Sequence, residues 1–206
     1  MRSLIGILAL QGDFERHEAR LAELGAKTLL VNSAEQLKRI AGLAIPGGES
    51  SVLLRLSRGA LQTALKERIA AGLPVLATCA GTILLASGVE NPRQESLGLL
   101  DIDVRRNAYG RQVDSFIDPS LSWTASGRAA LDELDVGKRD SKMTVEGVFI
   151  RAPKITRVGS EAETLIERQG DPVFVRQGNI FAATFHPELS TKARSVHELF
   201  LSRCGK

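Results

Sequence analysis

Apolar residues fall into two regimes along the chain. In the first ninety residues, short continuous apolar runs alternate with stretches whose apolar positions recur at helical spacing. Residues 4–10 form one such run, the pattern of a strand buried on both faces of a sheet. Gln11-Gly12-Asp13 turns the chain. Residues 14–24 then place Phe14, Leu21 and Leu24 among Glu15, Arg16, Glu18 and Arg20, a helical pattern stopped by Gly25. Residues 28–31 read as a strand, and Ser33-Ala34-Glu35-Gln36 has the form of a capping box leading a short helix to Ile40. Residues 43–45 give the next strand, halted by Pro46-Gly47-Gly48. Residues 51–71 read as helix broken near Gly59 and stopped by Gly72, residues 74–78 as strand, and residues 80–87 as helix. Strands alternating with helices predict an α/β fold of three layers, a mostly parallel central sheet flanked by helices. Ligands of such sheets bind at the carboxyl ends of the strands, where Gln11, Gly47-Gly48-Glu49 and Cys79 all fall.

Beyond residue 90 the pattern changes. Residues 99–104, 113–117, 147–150, 164–167, 173–177 and 180–185 read as strands joined by turns, and helix returns over 192–202. Residues 118–144 are mostly polar, with Ser, Gly, Asp and Lys, and read as an inserted loop with a helical turn at 128–134. There is no internal repeat, so the whole of 1–206 reads as a single domain with that insertion.

Composition narrows the picture. Hydrophobic residues make up 43% and charged residues 25%, the balance of a folded soluble protein and not of a disordered chain. No apolar run reaches the roughly 18 residues of a membrane span, and the apolar N-terminal run lacks a basic n-region and a cleavage site. The net charge of +3 is scattered. With seven phenylalanines, one tyrosine and one tryptophan, there is little to stack bases on, so neither nucleic acid nor membrane is an expected partner. Two distant cysteines make no disulfide framework, which points to a reducing, cytoplasmic setting. No metal-ligand spacing is present.

Candidate chemistry concentrates at three places. In Val75-Leu76-Ala77-Thr78-Cys79-Ala80-Gly81 a strand meets a helix at a cysteine with small neighbours, the layout of a nucleophile elbow. The alternative is a small buried core cysteine. A cysteine nucleophile needs a base, and the chain holds three histidines. His17 and His197 lie in amphipathic helices and read as solvated. His186 follows an apolar strand and precedes Pro187, which favours an extended backbone there. Glu188 would then project to the same side as His186 and orient the imidazole. The third place is Pro46-Gly47-Gly48-Glu49-Ser50-Ser51. Its glycines let backbone approach a ligand; the alternative is an ordinary loop in which Ser50 caps a helix. It is not a P-loop.

Taken together, these blocks resemble the class I, triad-type glutamine amidotransferases, whose fold is flavodoxin-like. Further blocks narrow the resemblance. Leu8-Ala9-Leu10-Gln11-Gly12, Pro46-Gly47-Gly48-Glu49-Ser50, Thr78-Cys79-Ala80-Gly81, Arg106-Asn107, Gly110-Arg111-Gln112-Val113-Asp114-Ser115-Phe116, Val148-Phe149-Ile150-Arg151-Ala152-Pro153 and Phe185-His186-Pro187-Glu188-Leu189 are similar to those of the family of glutaminase subunits of pyridoxal 5′-phosphate synthase. The 110–116 and 149–153 blocks are the specific ones; the triad alone fits many amidotransferases. Two departures stand out: the segment between Phe116 and Val148 looks longer than the family carries, and Thr82 stands where a larger apolar residue is usual.

The resemblance implies that Cys79, His186 and Glu188 hydrolyse glutamine to glutamate and ammonia, with no metal or bound cofactor. It implies an oxyanion hole at the N–H groups of Gly48 and Ala80. It assigns Gly48, Glu49, Ser50, Arg106, Ile150 and Arg151 to glutamine binding. Gln11, at the end of the first strand and so at the same sheet edge as the glycine loop, is expected to carry the partner's contact to that loop and activate the site; the alternative is a polar turn residue. That partner would be a separate barrel-shaped synthase subunit, in a heteromeric complex, which builds pyridoxal 5′-phosphate from two sugar phosphates and the ammonia. The rival readings are a glutaminase subunit serving imidazole or purine precursor synthesis, and a non-catalytic interaction subunit on the same fold.

Overall fold

The computed structural model describes residues 3–106, 108, 115–134 and 144–205. Its first half follows the expected alternation: β1 (Leu4–Leu8), α1 (Phe14–Glu23), β2 (Lys27–Val31), α2 (Ala34–Leu37), β3 (Gly42–Ile45), α3 (Ser50–Ser57), α4 (Ala60–Ala70), β4 (Val75–Thr78) and α5 (Ala80–Leu85). The capping box at α2 is present. Ser33 Oγ accepts from Gln36 N–H at 3.4 Å, and Gln36 Oε1 accepts from Ser33 N–H at 3.1 Å. Gly59, with φ of 87°, breaks α3 from α4.

The second half comprises β5 (Ala86–Glu90), β6 (Leu100–Arg105), β7 (Phe116–Trp123), α6 (Ala125–Asp132), β8 (Val145–Phe149), β9 (Lys154–Val158), β10 (Glu163–Arg168), β11 (Asp171–Gln177), β12 (Ile180–Ala183) and α7 (Arg194–Arg203). Two single 3-10 turns, Pro187–Leu189 and Thr191–Ala193, join β12 to α7.

The main sheet has nine strands in the order β2-β1-β3-β4-β12-β11-β10-β7-β8. The first five are parallel, in the order of a flavodoxin-like sheet. The rest extend it antiparallel. Strand alternation divides the core between two faces. Leu43, Ile45, Val75 and Ala77 pack on one side with Leu54, Leu65 and Ile83 from α3, α4 and α5. Ile5, Ile7, Ala44 and Leu76 pack on the other with Leu21 of α1 and Val196 and Phe200 of α7. Both faces are covered, which is why these strands read as continuous apolar runs. A second sheet, β5-β6-β9, adds Val89, Ile102 and Ile155 to the first side.

Two expectations are corrected, and one strand was not expected. Residues 118–144 are not simply an inserted loop: β7 and α6 occupy 116–132 and Val145 opens β8, while 135–143 lie outside the described residues. Pro119 within the run disguised the strand. It sits at the irregularity in β7–β8 pairing between Asp118 and Leu121, where a proline costs no ladder bond. The helical turn expected at 128–134 is the later part of α6, which starts earlier, at Ala125; its buried residues, Gly127 and Ala130, are small and give little apolar signal, and Thr124 caps it by accepting from Gly127 N–H at 3.0 Å. Second, α5 ends at Leu85 and the chain passes directly into β5, which begins at Ala86. The strand not expected is β9, which reads Lys-Ile-Thr-Arg-Val with a single fully buried side chain and carries too little apolar signal to be seen. The start of the strand expected at 113–117 lies partly outside the described residues.

Candidate active site

The carboxyl ends of β1, β3, β4 and β12 meet at one edge of the sheet, and most of the candidate residues come from the turns that leave them; Arg106 follows β6, and Ile150 and Arg151 follow β8. Cys79 follows β4 with φ of 47°, a left-handed conformation that is unusual for a residue with a side chain. The elbow is tied to β12. Cys79 N–H donates to the Ala183 carbonyl at 2.8 Å, and Thr82 Oγ donates to the same oxygen at 2.6 Å. Thr82, the departure noted above, is therefore an anchor that a larger apolar residue would not supply. Cys79 is only 6% exposed, with the Ile150 carbonyl 3.9 Å from Sγ.

His186 follows β12, and its N–H donates to the Val148 carbonyl at 2.8 Å. Its Nδ1 lies 2.7 Å from Glu188 Oε1. The pairing is as expected but its route differs: Glu188 sits in the 3-10 turn begun by Pro187, which curls the carboxylate back to the ring. Burial opposes the charged imidazole, yet its hydrogen bonds with Cys79 and Glu188 prevail and hold its pKa well above the ordinary value. Burial likewise opposes the Glu188 carboxylate, and the facing imidazoles of His17 and His186 hold it low all the same. The other cysteine, Cys204, has its thiol pushed up to about 12 by burial and stays protonated at neutral pH.

A pocket of about 200 Å³ opens beside these groups. It is lined by Gln11, Gly48, Glu49, Ser50, Cys79, Arg106, Ile150, Arg151 and His186, together with Gly12, Asp13 and Ile83. Nine of the residues singled out from sequence thus share one cavity, while Glu188 stands behind His186 and Ala80 begins α5. Gly12 was singled out only as part of the block ending at Gln11-Gly12, and Asp13 and Ile83 were missed; their only signal was proximity to Gln11 and to the elbow. Arg106 Nη2 donates to Glu49 Oε1 at 2.7 Å. Arg151 also has a left-handed φ, of 46°. Ser50 is not a cap: it is the first residue of α3, and its Oγ donates to Gln94 Oε1 at 3.0 Å.

Gln11 fixes the glycine loop. Its Oε1 accepts from Glu49 N–H at 2.7 Å. Gly48, with φ of 148°, leaves room for that side chain, since a Cβ there would lie 2.5 Å from Gln11 Oε1. A Cβ at Gly12 would fall onto the Gly47 carbonyl. The turns after β1 and β3 are therefore packed backbone against backbone.

The two histidines expected at the surface are both fully buried, His17 on α1 and His197 on α7, with ring centroids 6.0 Å apart. Their helices are amphipathic, but each histidine lies on the buried face. Among the described residues no group of three or more His, Cys, Asp or Glu is arranged to hold a metal ion, and no helix is long and apolar enough to cross a membrane.

A buried, strained cysteine elbow facing a His–Glu pair on a flavodoxin-like sheet defines a class I, triad-type glutamine amidotransferase. Residues 7–206 match the SNO glutamine amidotransferase family, and the chain belongs to that family. It is 49% identical to the pyridoxal 5′-phosphate synthase subunit PdxT of Koribacter versatilis, over 96% of this chain and 93% of that protein. It is 46% identical to the subunit of the same name from Solibacter usitatus, over 97% and 98%. A crystal structure of a glutamine amidotransferase superposes with a TM-score of 0.83 at 37% identity, covering 98% of this chain and 99% of that one.

Proposed function

We propose that this chain is the glutaminase subunit of a pyridoxal 5′-phosphate synthase and that Cys79, His186 and Glu188 carry its chemistry. The observation that carries the reading is the strained Cys79 elbow facing a His186 ring locked onto Glu188. His186 takes the thiol proton and Glu188 holds the imidazolium in place. The thiolate attacks the side-chain amide carbon of glutamine, and the N–H groups of Gly48 and Ala80 receive the oxyanion. His186 returns the proton to nitrogen, the C–N bond breaks, and ammonia leaves. Water then attacks the thioester, glutamate departs, and the thiol is restored.

Glu49, Ser50, Arg106, Ile150 and Arg151 hold the amino-acid end of glutamine, for which the pocket offers carboxylate, hydroxyl, guanidinium and backbone groups. The names borne by the relatives support a synthase subunit as partner and acceptor of the ammonia. Cys79→Ala should abolish glutamate release by the complex of the two subunits, while the same complex supplied with an ammonium salt should still make product. Glutamate release surviving in Cys79→Ala would overturn the assignment.

A further inference from the structure

Glu188 uses one oxygen on His186, and its other oxygen meets a second imidazole that the reaction above does not employ. His17 is fully buried on α1, with Nε2 3.0 Å from Thr78 Oγ1 and 3.5 Å from Glu188 Oε2. That Oε2 is itself buried and makes no hydrogen bond among the described residues. A buried carboxylate oxygen left without a donor is costly, and His17 Nε2 is the ring nitrogen that faces it. The tautomer follows from the surroundings. His17 Nδ1 is buried without a hydrogen-bond partner, so a proton there would be stranded, and a lone pair on Nε2 would point at the carboxylate. The neutral ring therefore carries its proton on Nε2, which donates to the Thr78 hydroxyl at 3.0 Å and lies 3.5 Å from Glu188 Oε2. Burial also lowers the pKa of His17, which keeps the ring neutral.

We propose that His17 is a positioning residue for glutamine hydrolysis: its Nε2–H fixes the second oxygen of Glu188 and braces Thr78, the residue before the nucleophile. The carboxylate then has one rotational setting, with Oε1 on His186 Nδ1, and the imidazole is held with its other nitrogen available to Cys79. Helix α1 thereby controls both halves of the reacting pair, His186 through Glu188 and Cys79 through Thr78. This inference rests on the Cys79–His186–Glu188 reading. His17 touches neither substrate nor thiol, so its loss should lower turnover and leave glutamine affinity alone.

The test uses the complex with the synthase subunit and three variants, with Cys79→Ala run alongside. In His17→Gln the amide nitrogen reaches the place of Nε2; in His17→Asn it reaches only that of Nδ1; His17→Leu removes the donor and keeps bulk. The Asn and Leu variants should lose about tenfold to a hundredfold in kcat, the effect of one hydrogen bond to a charged group. KM for glutamine should stay within about twofold, as expected when an interaction acts on turnover alone. His17→Gln should recover most of the rate. The inference is overturned if Asn and Leu keep the wild-type kcat, if Gln falls as far as Leu, or if the loss appears in KM. If His17→Leu does not fold, the Gln–Asn pair, matched by thermal midpoint, decides alone. Should Cys79→Ala itself remain active, it is the underlying triad that fails.

Discussion

At the residue scale, the informative groups are the buried titratable ones. The roles of Cys79 and His186 could be suspected from their neighbours, because an elbow and a His-Pro-Glu turn are local patterns. Those of His17 and His197 could not. Their burial depends on which helix face meets the sheet, and one polar residue on that face cannot be told from a solvated one by sequence. Burial has a measurable consequence. It pushes His197 down to about 3, so the folded chain keeps this ring neutral where the unfolded chain, near the ordinary 6.5, protonates it. The unfolded state binds the extra proton, so stability is complete above pH 6.5 and falls as pH drops from 6.5 toward 3. Between pH 6.5 and pH 5 this one group removes about 2 kcal/mol. His17 shifts in the same direction, and His186, raised in the folded chain, opposes it. Urea unfolding at the two pH values should show a smaller acid loss in His197→Leu than in the wild type. Equal losses would mean the ring already binds a proton when folded.

At the scale of elements, legibility tracks burial on two faces. β1, β3 and β4 read plainly because both of their faces are covered and their sequences are continuously apolar. β5, β7 and β9 are covered less completely and carry Ser, Asp, Pro, Lys and Arg, so periodicity had little to register. The site was legible in part for the same reason: the turns that carry Gly48, Cys79 and His186 leave fully buried strands, whereas Arg106 and Ile150-Arg151 leave β6 and β8, which alternate buried and half-buried positions. What sequence could not supply was the packing of one turn on another. The hydrogen bond from Glu49 N–H to Gln11 and the contact between Gly12 and the Gly47 carbonyl join turns more than thirty residues apart. Gly48→Ala tests that packing. The new Cβ would press on Gln11 Oε1 in a backbone conformation costly for alanine. The Glu49 N–H and the proposed oxyanion donor would move together. Glutamate release by the complex should fall about a hundredfold or more, the effect of losing one oxyanion donor. The thermal midpoint should fall by only a few degrees, the cost of the strained alanine, because the loop lies outside both halves of the core. Undiminished hydrolysis would separate Gly48 from the reaction.

For the whole molecule, the question is when the site runs. An amidotransferase that hydrolysed glutamine without an acceptor at hand would release ammonia to no purpose, so control should sit where the partner docks. The structure offers a route for it. Gln11 lies at the end of β1, lines the pocket, and holds the Pro46–Ser50 turn through a single hydrogen bond to Glu49 N–H at 2.7 Å. A contact that shifts Gln11 therefore shifts the backbone carrying Gly47 and Gly48, where rotation of one peptide turns an N–H toward or away from the substrate carbonyl. Since one misplaced donor costs about a hundredfold to a thousandfold in rate, displacement of that turn is enough to silence an otherwise complete triad. The isolated chain should accordingly hydrolyse glutamine slowly, and adding the synthase subunit should raise kcat by a factor in that range. Gln11→Ala, which removes the acceptor while leaving Cys79, His186 and Glu188 in place, should blunt the rise without preventing the two subunits from co-eluting. Equal rates with and without the synthase would refute control through this turn, and the triad would then be competent as the fold alone presents it.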